Sequence, residues 1–410
     1  MESFYAASRL RVAASAAVLP RLDIPTPLTF VGADSSLALC RTIASSGLKR
    51  VLVVTDKPLL SLGLADAMLA TLRSGGMTVE VFSEVEPDPG FEVVLAGIDR
   101  LVAFGADGIL AIGGGSPIDC AKAINLAHAN DCHPSELAGL WLYAKSRQPG
   151  LPFYAVPTTA GTGSEVTMAA VISDKAAGVK LSIIDPKLLP TSVALDANLT
   201  LGLPPGATAA TGMDALTHAV ESFVSSLAYA ETEGWAVTAT RLIFGNLEAA
   251  YRDGRDIAAR EAMLLGSYFA GMAFTRAGVG YVHAIAHQLG ALYHLPHGLA
   301  NAILLPFVLD ASRPNCDVRL AQLARLVALP CEADDDETLA TALIVRIRQL
   351  NAAMAIPTTV EALCEADFDR IIDAAFAEAH GTYGVPRYFE RDDAVTLLRL
   401  LLPTSGAETT

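Results

Sequence analysis

Charged side chains are scarce in this chain. Lys, Arg, Asp and Glu together supply 18% of its 410 residues, against 52% apolar. Within that small charged set acid exceeds base, 44 residues to 29, giving a formal net charge of -15 and a pI of about 4.9. No basic cluster offsets the excess, so repulsion from phosphates excludes a nucleic-acid partner. Long apolar runs are missing as well. Mean hydropathy is high at +0.41, yet no stretch approaches the ~20 apolar residues of a membrane span. Residues 109–112 and 302–305 are among the richest, and both end at Gly or Pro. The apolarity is therefore read as buried core plus an oligomer contact, with no membrane partner. Paired-cysteine spacing is absent too. Cys40, Cys120, Cys132, Cys316, Cys331 and Cys364 form no CxxC, which fits reduced thiols in a cytoplasmic protein better than a disulfide framework. Arg9 and Arg11 precede a short Ala-rich patch at 12–19; its apolar part is too short for a convincing signal peptide, and residues 20–27 are expected to run straight into the first strand.

What is present falls into two patterns. From residue 28 to about 201, short apolar runs alternate with helical periodicity. Strands are expected at 28–32, 51–54, 79–83 and 108–112, and helices at 34–46, 64–74 and 91–104. That alternation predicts parallel βαβ units with a ligand site at the carboxyl ends of the strands. After residue 201 the chain turns Ala- and Leu-rich, with helices expected at 206–224, 228–252, 257–273, 281–293 and 317–326. Gly202-Leu203-Pro204-Pro205-Gly206 is the natural hinge. The expected organisation is an α/β dinucleotide-binding domain at 1–201 with a parallel sheet, followed by an all-α domain at 202–410.

Two loops carry phosphate-binding character. Gly113, Gly114, Gly115 and Ser116, followed by Pro117, Ile118 and Asp119, leave a buried strand and open a helix. Glycines permit close backbone approach, and a helix N-terminus offers free N–H groups to an anion. Pro157-Thr158-Thr159-Ala160-Gly161-Thr162-Gly163-Ser164-Glu165 follows a second apolar run and adds hydroxyls suited to ribose and phosphate. Asp56, just past strand 51–54, is placed either to accept from ribose hydroxyls, which favours NAD over NADP, or to cap the next helix.

Histidine is rare, yet four of the eight, His283, His287, His294 and His297, fall within fifteen residues of an apolar stretch. Upstream, Asp214 and His218 share one helical face through their spacing of four. Buried imidazoles without partners would cost desolvation, and a metal gives them partners. One carboxylate with three imidazoles suits Fe(II) or Zn(II) at a catalytic centre with an open position. The sequence has no HExxH, which argues against a zincin protease.

The segments GGGS-PID-AK, PTTAGTGSE, TGMDALTHA-ES and YVHAIAHQLGALY-LPHG, in that order across about residues 28–310, together resemble the iron-containing (group III) alcohol dehydrogenases. The resemblance implies Asp214, His218, His283 and His297 as metal ligands, and His287 near the nicotinamide as a proton relay. It points to Asp56, Gly115, Ser116, Thr158, Thr159 and Lys180 around NAD(H). Gly113, Gly114, Asp119, Thr162 and Ser164 lie in the same two loops and are grouped with them. Phe274 resembles an aromatic lining of the substrate pocket, and His294 matches no ligand position. The implied fold is dehydroquinate synthase-like. The implied activity is hydride transfer between NAD(H) and small primary alcohols or aldehydes at a metal-bound alkoxide. Fe(II) is the expected metal, with Zn(II) as the substitute, and a homodimer through the strand at 29–31 is expected. Beyond residue 310 the resemblance fades, and His380 and Tyr383 have no assigned role. The rival readings are a zinc enzyme of the same fold, either a glycerol dehydrogenase or a dehydroquinate synthase-like lyase, and a non-catalytic nucleotide- or metal-binding relative.

Overall fold

The two periodicities build two compact units that interleave along the chain: residues 23–203 with 253–271, and residues 1–22 with 204–252 and 272–410. The computed structural model describes residues 2–140, 147–175, 179–332 and 334–403. Among them, no helix is long and apolar enough to cross a membrane.

Helix α1 (Glu2–Val18) opens the chain and belongs to the helical unit. The α/β unit follows as β1 (Leu28–Val31), α2 (Ser35–Ser45), β2 (Arg50–Val54), α3 (Lys57–Ser61), α4 (Asp66–Ser74), β3 (Thr78–Phe82), α5 (Phe91–Phe104), β4 (Gly108–Gly113) and α6 (Gly115–Asn130). It continues through β5 (Gly139–Leu140), β6 (Phe153–Pro157), β7 (Ala169–Asp174), β8 (Val179–Ile184) and β9 (Ser192–Leu195). Six strands form one sheet in the order β1-β9-β6-β4-β2-β3, with every neighbouring pair parallel. The β-branched runs of β2 and β4 are buried along almost their whole length, as strands covered on both faces must be. Leu39 and Ile43 of α2 and Met68 and Leu72 of α4 pack on one face against Val51, Val53, Leu110 and Ile112. Because β6, β4 and β2 are adjacent, the segments that follow their carboxyl ends (residues 158–165, 114–116 and 55–56) emerge side by side. The parallel pattern expected from the sequence does not extend to β7 and β8, which pair antiparallel and form a small second sheet with β5.

The helical unit is built from α7 (Pro205–Val224), α8 (Ala230–Arg252), the end of α9 (Ile257–Ala277), α10 (Tyr281–Tyr293), α11 (His297–Ser312), α12 (Asp317–Leu326), α13 (Asp336–Ala353), α14 (Phe368–Ala379) and α15 (Arg391–Leu400). From Gly212 to Val224 every residue of α7 is buried, making it the central helix. Pro205 at its first turn removes an N–H that would have no partner there.

Three expectations are corrected. Residues 2–18, for which no element was expected, form a helix; Ser8 and Val12 are buried, and Arg9 lies over the Tyr388 ring. Residues 1–22 therefore join the helical unit. Residues 253–271 instead join the α/β unit, where Tyr268 Oη lies 3.0 Å from Thr29 Oγ1 and Arg260 Nη2 donates to Leu203 O at 3.1 Å. Finally, the helix expected to stop at 273 continues to Ala277, which places Phe274 on it.

Candidate metal centre

Asp214 and His218 sit one turn apart on α7, His283 lies in the first turn of α10, and His297 is the first residue of α11. One ligand atom from each comes within 4.8 Å of all the others, and Asp214, His218 and His283 are buried. A glycine makes the last approach possible. A Cβ on Gly298 would fall 2.4 Å from Ala210 O and 3.4 Å from Asp214 Cβ, so only glycine lets α11 start against α7 and bring His297 to the carboxylate. His297 Nε2 is then 3.5 Å from Asp214 Oδ1, and His283 Nε2 is 3.8 Å from it.

The carboxylate of Glu221, the residue one turn beyond His218, fixes His283. Its oxygens accept from the Gly280 and Val282 N–H groups at 2.8 and 2.7 Å and face His283 Nδ1 at 2.6 Å. A negative group at the N-terminus of α10 complements the helix dipole. A proton on Nδ1, shared with Glu221, leaves the Nε2 lone pair for a ligand. Burial, reinforced by the neighbouring imidazoles, holds His283 well below the usual histidine range, so it stays neutral and competent to coordinate. Burial also pushes Glu221 up to about 8, against the pull of its three backbone donors.

The arrangement fits a divalent cation on the chemistry of its donors. Asp214 Oδ1, His283 Nε2 and His297 Nε2 all point at one group, the Asn301 amide nitrogen, at 2.6, 3.2 and 3.2 Å. Three lone pairs converging on a single donor form the pattern that an N/O-coordinated metal satisfies. Phe274 stacks on His218 with ring centroids 4.1 Å apart, and so lines the centre directly.

His287 stands beside the centre. Its ring stacks on His297 at 5.3 Å, and its Nδ1 lies 2.6 Å from Glu378 Oε1. The same oxygen accepts from Tyr383 Oη at 2.6 Å. Burial and the facing carboxylates of Glu378 and Glu221 push the Tyr383 phenol well above its usual value. The segment around it is anchored by Tyr281 Oη, which is 2.6 Å from His380 Nε2 and accepts from Phe389 N–H at 2.9 Å; burial lowers His380 to about 4. His294 occupies a left-handed position that ends α10, φ 55°, with its N–H on Gly290 O.

In the α/β unit the two glycine-bearing loops touch. A Cβ on Gly114 would lie 3.2 Å from Thr159 Oγ1, and one on Gly115 would lie 3.0 Å from Thr162 Cγ2. Thr158 N–H donates to Gly113 O at 3.0 Å. Gly163 is left-handed, φ 59°, and packs so closely on α9 that a Cβ would sit 2.8 Å from Gly271 Cα. Ser116 lies in the first turn of α6, whose N-terminus has no side-chain cap, leaving its amides available to an anion. Other expected cofactor residues direct their polar atoms into the protein. Ser164 Oγ donates to Asp119, which also accepts from Val171 N–H at 3.0 Å. The cause is Lys122, a fully buried amine that donates to Ser164 O, Thr167 O and Ala169 O at 2.6–2.8 Å, with the Asp119 and Glu165 carboxyl groups nearby. Lys180 lies on β8, in the small sheet, paired at 2.5 Å with Asp88. Asp56 caps α3 by accepting from Leu59 N–H at 2.8 Å, which is the second of the two roles open to it.

Sequence reasoning missed Glu221, Asn301, Glu378 and Tyr383. Glu221 was within reach, since it continues the Asp214–His218 face by one more turn. Asn301 repeats the spacing of four from His297. Glu378 and Tyr383 carry no local signal, because only the packing of α14 against α10 brings them to His287.

Comparisons with known proteins agree with this geometry. Residues 26–197 match the family model "Iron-containing alcohol dehydrogenase", and residues 208–402 match "Fe-containing alcohol dehydrogenase family, C-terminal". Alcohol dehydrogenase 4 of Saccharomyces cerevisiae (strain YJM789) is 36% identical over 91% of this chain and 96% of its own length. The chain belongs to the iron-containing alcohol dehydrogenases. The NAD-dependent methanol dehydrogenase of Bacillus methanolicus is 37% identical, covering 81% of this chain and 86% of the relative. Among solved structures, a 1,3-propanediol oxidoreductase superposes with a TM-score of 0.88 at 36% identity, covering 92% of this chain and 98% of that one. This member of the family is thus an oxidoreductase of alcohols and aldehydes with a metal site formed by Asp214, His218, His283 and His297.

Proposed function

We propose that this iron-containing alcohol dehydrogenase interconverts small primary alcohols and aldehydes, using NAD(H) and a divalent cation. The observation that carries the reading is the convergence of one carboxylate and three imidazoles, with a further imidazole, His287, stacked on the ligand His297. Fe(II) is the metal the family is named for, and Zn(II) competes for the same donors by the general affinity order. Held by the four ligands, the cation supplies Lewis acidity that makes a bound hydroxyl more acidic or a carbonyl more electrophilic.

The chain's own residues do the rest. The uncapped amides of α6, together with Gly113, Gly114, Gly115 and Ser116, suit a pyrophosphate. The hydroxyls of Thr158, Thr159 and Thr162 suit ribose and phosphate, and the second oxygen of Asp56 suits a ribose hydroxyl, a combination that favours NAD over NADP. Phe274 limits the space beside His218 and so restricts the substrate. NAD held by these loops would supply the hydride acceptor for the substrate's carbon, and His287 would carry away the substrate's O–H proton as the C=O bond forms. The similarity to an NAD-dependent methanol dehydrogenase supports a small alcohol as substrate. A homodimer through β1 is supported by the unpaired edge of that strand, where Leu28 and Val31 are 62% and 48% exposed; light scattering reads the mass directly.

The test is anaerobic NADH oxidation with a panel of short aldehydes, on metal-free protein reloaded with Fe(II) or Zn(II). Activity that returns with metal supports the reading. Metal and NADH bound but every aldehyde inert would move the assignment to a lyase of the same fold.

A further inference from the structure

His287 is useful as a proton carrier only if the correct nitrogen is free and the ring is held. We propose that Glu378 is a positioning residue that orients the His287 ring and fixes its proton on Nδ1, with Tyr383 and Gln288 holding Glu378 in place. The inference rests on the proton-carrying role given to His287 above.

Three observations converge. Glu378, in the last turn of α14, puts Oε1 2.6 Å from His287 Nδ1. With Oε1 as the acceptor, the hydrogen of this contact belongs to the ring nitrogen that faces it, and Nε2 is the nitrogen left to accept. Tyr383 Oη donates to the same Oε1 at 2.6 Å, and Gln288 Nε2 reaches Oε2 at 3.3 Å. With its phenol kept protonated by burial, Tyr383 is committed to donating, so Oε1 accepts from both sides and the carboxylate cannot rotate without losing a partner. The chain segment that carries Tyr383 is in turn pinned through the Tyr281–His380 and Tyr281–Phe389 bonds. His287, meanwhile, lies against His297 of the metal centre with the rings 16° from parallel, and the Glu378 bond selects that orientation. The side chains of His287 and Glu378 are about a quarter exposed, 23% and 27%. A simple packing ion pair between α10 and α14 would need neither the shared oxygen nor the tyrosine.

The decisive experiment is a double-substitution cycle of Glu378→Ala and His287→Ala on metal-loaded holoenzyme, with metal content and NADH affinity measured on each variant. The inference expects E378A to lower kcat roughly tenfold or more, with metal stoichiometry, NADH affinity and aldehyde KM little changed. It expects E378A to do no further harm in the H287A background, because a residue that acts only through another adds nothing once that other is gone. E378Q, which retains an acceptor oxygen, should recover part of the loss, and Y383F should show a smaller drop in kcat alone. Additive losses, or unchanged kcat in E378A while H287A is impaired, would overturn the inference and leave the His287 reading standing. Full turnover in H287A would overturn both. Should E378A fail to fold, E378Q and Y383F carry the same cycle. A readout independent of turnover comes from metal-free protein with 15N-labelled histidine. Two downfield Nδ1–H resonances are expected in the unaltered protein, from His283 facing Glu221 and from His287. One of them should vanish in both H287A and E378A, and the persistence of both in E378A would contradict the assignment.

Discussion

The metal centre and the dinucleotide loops use opposite strategies. In the helical unit the working groups are side chains set at spacings of four along α7 and α11 and in the first turn of α10, all aimed at one point. In the α/β unit the candidate working groups are mostly backbone: uncapped amides at the start of α6 and a left-handed Gly163. There, the polar side chains largely serve the loops themselves, with Asp119, Ser164 and Thr167 gathered around Lys122. A side-chain site should therefore fail abruptly when one residue is changed, whereas a backbone site should fail through loss of its shape. Five predictions sharpen that contrast.

His283→Ala should produce the largest effect: no measurable turnover and loss of bound metal, with NADH affinity largely intact, as read by metal analysis and a fluorescence titration. Undiminished turnover would break the ligand assignment. Lys122→Met should come next, but with the reverse signature. It leaves three carbonyl oxygens and two carboxyl groups without their cation, and breaking such a buried network costs about 3–5 kcal/mol. Denaturant unfolding should show that loss together with weakened NADH binding, while the metal site stays filled. Gly298→Ala should cost about 1–3 kcal/mol through overpacking and lower metal affinity more than coenzyme affinity.

The pH response is expected in both units, since burial also raises Glu221 beside the metal centre to about 8. Burial raises Glu165 in the loop to about 7 from an ordinary 4.5. The folded form then holds a proton that the unfolded chain has released, so this group's contribution is full below about pH 4.5 and is lost as pH rises through about 7. The Tm of the metal-free protein should fall by a few degrees over that window, and Glu165→Gln should flatten the fall. Asp56→Ala should give the smallest change, about 1 kcal/mol from the lost cap of α3. A rise in KM for NADH beyond that structural effect would support its contact with the ribose.

The same contrast explains what could be read from the sequence. Helical spacing put Asp214 and His218 on one face, but it equally paired His283 with His287, which is not in the four-residue cluster; the set that includes His297 followed from the family resemblance. The β-branched runs carried β2 and β4. Residues whose role is set by distant packing were invisible. Lys122 was read only as part of a motif, Glu378 lies 91 positions from the histidine it faces, and the helical nature of residues 2–18 depends on contacts with Tyr388 and Gly381 near the other end of the chain. Antiparallel β7 and β8 were missed although residues 179–183 alternate apolar and polar; β7, Ala-Ala-Val-Ile-Ser-Asp, has no such alternation in its residue types.

The measurement that tests the account most directly is a calorimetric titration of metal-free protein with Zn(II), and with Fe(II) under anaerobic conditions, alongside His283→Ala. The account predicts one equivalent bound per chain, abolished or greatly weakened in the variant, with NADH still bound by both proteins. No metal uptake, or uptake equal in the variant, would contradict it.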